Sequence, residues 1–303
     1  MMKAFFVFSG QGAQHTGMGR DLYDTCPEAR RIFDATAREL GEEHLKVIFE
    51  GPEETLTSSR FCQTAIYTMS CAALEAFRAR HPEIAPLACA GLSLGEYAAL
   101  YAAGAFDYVT GLKLLDRRAA AMDAACRKNS GGMASVLKAD PAIIEAACAE
   151  ADIDVANYNS PGQIVISGEK TKLAKAIGIL RAKGVARIIE LNVAGAFHSR
   201  LMAEAGEEFA PALAAAELKM PTVPVYHNFT ADAAKNLDEL RNDLARQVSG
   251  SVRWEGCLRR AVAAGADTVI EFGPGNVLTG LAKRTIPELR LVNINCAAAL
   301  DNL

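Results

Sequence analysis

The stretch ACAGLSLGEYAALYAAGAF, residues 88–106, decides how the chain is read. It continues an apolar run that starts at Pro86 and passes into a helix-forming segment over 94–103. Between the two stands Gly91-Leu92-Ser93-Leu94-Gly95, with the spacing Gly-x-Ser-x-Gly. A strand, a glycine-flanked serine and a helix form a strained turn that raises the serine oxygen at the carboxyl end of a sheet. The glycines relieve crowding there. The helix starting near Leu94 points its N–H groups and the positive end of its dipole at the same place. Ser93 is therefore a candidate nucleophile, and the Leu94 N–H a candidate oxyanion donor.

Working outward, residues 3–8 read as a first buried strand, followed by the loop Ser9-Gly10-Gln11-Gly12-Ala13-Gln14. Helical spacing recurs over 28–40, 61–80 and 110–127. Alternating strands and helices predict a mainly parallel sheet with flanking helices, in an α/β-hydrolase-like arrangement. Asn129-Ser130-Gly131-Gly132 breaks the rhythm. Strands at 133–138, 153–158, 163–167 and 185–192, with helices at 141–150 and 170–182, then follow in the order β-α-β-β-α-β. That order is ferredoxin-like. The expected organisation is a large catalytic subdomain, 1–128 and 197–303, with a ferredoxin-like subdomain, 129–196, inserted in it. After the insert the α/β pattern resumes with a helix over 199–215 and a strand over 223–227. Helices over 237–248, 254–264 and 276–285 and strands over 268–272 and 290–295 complete it.

Composition sets limits on function. The 303 residues are 50% hydrophobic and 22% charged, ordinary for a soluble globular enzyme. A formal net charge of −4 makes a poor nucleic-acid binder. No apolar run approaches the roughly 20 residues of a membrane span, and the amino-terminal apolar run is too short for a signal peptide. The eight cysteines are scattered, without Cys-x-x-Cys, and read as reduced core residues in a cytoplasmic protein. Without His-Glu-x-x-His, no metal site is expected. The run Lys170-Thr171-Lys172-Leu173-Ala174-Lys175 reads as a solvated helix face, part of which could meet an acidic partner. Phe272-Gly273-Pro274-Gly275-Asn276 fits neither a dinucleotide nor a Walker loop and reads as a tight β–α turn.

A nucleophilic serine needs a base. His44 and His81 lie in charged stretches read as surface, and His227 ends a strand. His198 stands where a strand gives way to a helix, at the same edge of the sheet as Ser93, and is preferred; His15, in the first loop, is second. No acid between 107 and 190 sits convincingly at a strand end as a third member. A dyad whose histidine is oriented by a backbone carbonyl is equally compatible.

Several segments together resemble one family. They are Phe8-Ser9-Gly10-Gln11-Gly12-Ala13-Gln14, Gly91 to Glu96, Arg118, Asn159-Ser160-Pro161-Gly162-Gln163, Ala196-Phe197-His198-Ser199 and Gly273-Pro274-Gly275. In order and spacing, over essentially the whole chain, they are similar to the malonyl-CoA:acyl carrier protein transacylases, the free-standing acyltransferases of type II fatty acid synthesis. The resemblance implies a malonyl transfer from malonyl-CoA to holo-acyl carrier protein, with no cofactor and no membrane or nucleic-acid partner, by a monomer. It implies Ser93 as nucleophile, His198 as base, Gln11 as a second oxyanion donor beside Leu94, and Arg118 as the clamp for the malonyl carboxylate. Gln247 falls where the family has a glutamine whose main-chain carbonyl orients the histidine, so a dyad is implied. In related polyketide acyltransferase domains Ala-Phe-His goes with malonyl units and Ala-Ser-His with methylmalonyl, so Ala196-Phe197-His198 is malonyl-like by resemblance. One departure is Leu92, where the family often has histidine. A polyketide acyltransferase with the same chemistry and a serine thioesterase or esterase are the alternatives.

Overall fold

The computed structural model describes residues 2–302. The chain opens with β1 (Ala4–Phe8), then five helices, α1 (Arg20–Thr25), α2 (Pro27–Leu40), α3 (Glu42–Glu50), α4 (Glu53–Thr57) and α5 (Ser59–Arg80). β2 (Pro86–Gly91), α6 (Gly95–Ala102) and α7 (Tyr108–Lys128) follow. The next block is β3 (Gly131–Leu137), α8 (Pro141–Ala151), β4 (Asp154–Ser160), β5 (Gln163–Glu169), α9 (Lys170–Ala182) and β6 (Arg187–Glu190). The chain closes with α10 (Ala203–Ala215), α11 (Leu237–Gln247), α12 (Trp254–Ala263), β7 (Thr268–Phe272), α13 (Val277–Thr285) and β8 (Arg290–Ile294).

Two sheets result. The first, ordered β2-β1-β7-β8, is parallel throughout. Its central strand β1, AFFVF, is buried on both faces, as a parallel sheet covered by helices requires. Phe6 and Phe8 face one core and pack on Phe272, with ring centroids 4.9 and 5.4 Å away. Phe5 and Val7 face the other, with Trp254 and Leu258. The second sheet, ordered β4-β5-β3-β6, is antiparallel, and its strand order and βαββαβ connectivity are ferredoxin-like. It is tied to the first unit where Tyr158 N donates to Val252 O and Val252 N to Ala156 O, at 2.9 and 2.8 Å.

The helix starts are chemically marked. Asp107 caps α7 by accepting from Thr110 N at 2.7 Å, and Asp140, followed by Pro141 at the first helical position, caps α8. Three differences from the sequence reading stand out. The strand expected over 223–227 is reduced to single bridges at Val225 and Tyr226, because Pro221 and Pro224 interrupt the run of donors. The helix expected from 199 starts at Ala203, after a single 3₁₀ turn over Arg200–Met202. His44 is buried, stacked on Phe61 and bonded to Thr64 Oγ1, not on the surface. The Lys170–Lys175 run does lie on a largely exposed helix face, where Lys172 pairs with Asp152 at 2.6 Å and Arg200 holds the same carboxylate. Among the described residues no helix is long and apolar enough to cross a membrane.

Candidate active site

The register of the parallel sheet brings two loops together. Phe8 is paired with Gly91, so the loop carrying Gln11 and the turn carrying Ser93 leave adjacent strand ends side by side. The turn is tight: a Cβ added at Gly91 would lie 2.0 Å from Gly95 O, and one added at Gly95 2.3 Å from Phe8 O. Both glycines are demanded by that close approach. Ser93 itself takes the left-handed region with φ 53, a strained state for a non-glycine residue. Its backbone is held from both sides. Ser93 N donates to Asn228 Oδ1 at 2.6 Å, Asn228 Nδ2 donates to Gly91 O at 2.7 Å, and Gln247 Nε2 donates to Ser93 O at 2.8 Å.

Ser93 Oγ lies 2.8 Å from His198 Nε2. His198 Nδ1 lies 2.8 Å from the main-chain oxygen of Gln247. A carbonyl only accepts, so Nδ1 carries the hydrogen and Nε2 meets the serine as a lone pair. Burial first, and the charge of Arg118 second, push this imidazole down to about 4, against the pull of the Gln247 carbonyl. It is therefore neutral near pH 7, the state a base needs. His198 also has positive φ, 55, and follows the buried Phe197.

Arg118 reaches the same oxygen. Its Nη2 donates to Ser93 Oγ at 3.0 Å and to Gln247 Oε1 at 2.9 Å, while Nη1 donates to Gln63 Oε1 at 2.5 Å. Arg117 is exposed but Arg118 is 1% exposed, so the pair is not a solvated helix face. A serine hydroxyl between a neutral imidazole and a fixed cation can attack a carbonyl and keep an anionic substituent nearby.

These groups open onto a cavity of about 380 Å³. Its wall includes Gln11, Leu92, Arg118 and Phe197, with Asn159 and Gln163 facing them from the small sheet. Leu94, 1% exposed, precedes α6 at the foot of the turn. Neither its N–H nor that of Gln11 donates to a group of the chain among the described residues. Leu92 presents an apolar side chain to the cavity beside Ser93. His15 is exposed and outside this wall. The Phe272–Gly275 turn braces the first loop instead, where Ser9 Oγ donates to Pro274 O at 2.9 Å.

The sequence reading missed a buried polar network behind the turn. Glu96, fully buried, accepts from His227 Nδ1 at 2.6 Å, from Asn228 N at 2.9 Å and from Gln247 Nε2 at 3.0 Å. Burial lowers the affinity of His227 for its proton, but the Glu96 carboxylate outweighs this and holds it above the usual imidazole range. The one available signal was His227-Asn228 at the end of an apolar run, opposite a glutamate directly after the glycine of the turn. Among the described residues no cluster of metal-binding side chains occurs.

Comparison with known proteins bears on this geometry. The model of the acyl transferase domain family matches residues 5–299. The malonyl CoA-acyl carrier protein transacylase of Bacillus subtilis is 37% identical over 300 residues, 97% of this chain and 94% of that one. The acyl-carrier-protein S-malonyltransferase of Burkholderia pseudomallei superposes with a TM-score of 0.95 at 35% identity, covering 99% of both chains. A malonyl-transacylase solved in complex with its type II PKS acyl-carrier protein superposes with a TM-score of 0.93 at 33% identity, over 98% of this chain and 97% of that one.

Proposed function

The chain belongs to the acyl transferase domain family, and we propose that it moves a malonyl group from malonyl-CoA to the phosphopantetheine thiol of holo-acyl carrier protein, in fatty acid synthesis. The observation that carries this reading is the seat of Ser93 Oγ, 2.8 Å from the His198 imidazole and 3.0 Å from the Arg118 guanidinium.

Ser93 Oγ attacks the thioester carbonyl and passes its proton to His198 Nε2. The oxyanion that forms is received by the N–H groups of Gln11 and Leu94, at the amino end of α6. On collapse the C–S bond breaks, and His198 returns the proton to the departing thiolate of coenzyme A. A malonyl ester of Ser93 remains. In the second half the carrier's thiol gives its proton to His198 and attacks that ester. The Ser93 oxygen leaves and recovers the proton. The Gln247 carbonyl keeps the imidazole in the tautomer both halves need. Arg118 grips the free malonyl carboxylate with its planar fork. Phe197, at the cavity wall, opposes a branch on the α carbon. On this reading residues 129–196 form a small subdomain flanking the cleft. The eight free cysteines support work in the reducing cytoplasm.

The test is intact-protein mass spectrometry. Malonyl-CoA alone is expected to add one malonyl group to the chain. Holo-carrier protein is then expected to discharge it and gain the same mass. No adduct overturns the reading, and an adduct lost only to water overturns it in favour of a thioesterase. Carriers of fatty acid and polyketide synthesis, offered in competition, identify the acceptor.

The low proton affinity of His198 fixes the pH dependence. The imidazole must be neutral to take the Ser93 proton, and it stays neutral down to about pH 4. Labelling of Ser93 by a neutral phosphonylating reagent is expected to run flat from pH 8 to about 5, then fall about tenfold per unit below about 4. A midpoint near 6.5, the ordinary imidazole value, would contradict the assignment.

A further inference from the structure

Arg118 is a fully enclosed cation whose contacts are all neutral. Nη1 is held by the amide oxygen of Gln63, Nη2 by that of Gln247 and by Ser93 Oγ, and the Tyr97 ring centroid lies 5.9 Å from Cζ. Its Nε has no partner among the described residues. Buried arginines ordinarily meet acids. Here the carboxylate in the network, Glu96, is set one group further off: Gln247 Nε2 donates to it, and Gln247 Oε1 faces the guanidinium. Two glutamine amides thus occupy positions where a glutamate would form a direct ion pair.

Gln63 is the simpler of the two. It sits on α5, 1% exposed, 55 residues before Arg118, and is not part of the cavity wall. Its nitrogen end is turned to Met122 Sδ at 3.5 Å, which leaves its oxygen end to the guanidinium. The amide therefore orients the fork without cancelling its charge.

We infer that the neutrality of Gln63 is a specificity determinant: it fixes the Arg118 guanidinium while leaving the cation uncompensated, so that the site favours acyl groups that carry their own carboxylate. Gln63 acts through Arg118 and is a positioning residue. A carboxylate in its place would saturate the guanidinium and repel a second anion at short range in a medium of low dielectric. Nε–H, on the same edge of the fork as Nη2, is left without a partner among the described residues. This inference rests on the malonyl-transfer reading above.

The test is the ratio of kcat/KM for Ser93 acylation by malonyl-CoA over acetyl-CoA, in wild type, Q63E and Q63M. Q63E is nearly isosteric and is expected to lower the ratio about 100-fold, chiefly through the malonyl KM. Q63M removes the acceptor and keeps the cation, and is expected to hold the ratio within about tenfold of wild type. A Q63E ratio equal to wild type overturns the inference. So does a Q63M ratio as low as that of Q63E, which would make orientation rather than charge the cause. Should Q63E yield no folded protein by circular dichroism, Q63M decides alone: retention supports the inference, and a fall of about 100-fold overturns it. Failure of the underlying reading shows in the wild type, as a missing malonyl adduct or a ratio near one. Failure of the inference shows only in the variants.

Discussion

Ser93→Ala is expected to fold, to acquire no malonyl mass from malonyl-CoA, and to lose transfer by about 10⁴-fold or more. Folding should survive because the clamps on the turn act on its backbone. Asn228 receives Ser93 N–H and Gln247 donates to Ser93 O, and neither bond involves Oγ. The φ of 53 is equally open to serine and alanine, so the substitution adds little strain. What disappears is the oxygen between His198 Nε2 and Arg118 Nη2. Two of the thiols, Cys62 and Cys126, are poor substitutes. Cys62, close to the first loop, is buried, and that burial pushes its thiol up to about 12; burial pushes Cys126 up to about 11. Neither is a thiolate at neutral pH. Intact-protein mass spectrometry decides the matter, and a malonyl adduct surviving in S93A would place the nucleophile elsewhere.

Legibility in the sequence followed the range of the interaction. The Ser93 turn could be read because its demands are local: an apolar strand, two glycines at points of close approach, a helix start. The ferredoxin-like block was readable for the same reason, as alternating short periods broken by Gly-rich turns. Helix–helix contacts were not. Gln63 and Arg118 lie inside α5 and α7, and periodicity does not say which polar residue on a helix turns inward. Arg117 and Arg118 are neighbours, yet one is exposed and the other enclosed. His44 was misread because Glu42, Glu43 and Lys46 surround it in sequence. It lies one turn before the buried Ile48 and shares its face. The Glu96–His227–Asn228 network joins residues 131 and 132 positions apart, beyond any local signal. The small helices α1, α3 and α4 were missed because six, nine and five residues hold too few turns for periodicity to register.

Arg118→Ala should separate the two jobs that one guanidinium performs. It donates to Ser93 Oγ, a contact that serves any acyl group; on the proposed reading it would also offer its fork to a carboxylate that only some acyl groups carry. Removing it is expected to lower kcat/KM for malonyl-CoA by about 10²–10³-fold, in line with loss of a buried charge-assisted contact. Acetyl-CoA, which has no carboxylate to lose, is expected to fall by about tenfold or less. His198 contributes in the opposite direction. The Arg118 charge is the second cause of its depressed proton affinity, so R118A should move the acid limb of the Ser93 labelling profile upward from about 4. Arg118→Lys keeps the charge but not the fork, and should recover the histidine shift more fully than malonyl loading. Rapid-quench acylation with both thioesters across pH measures all three effects. Equal losses for malonyl and acetyl would remove the carboxylate-clamp role and leave Arg118 as a support for Ser93 alone.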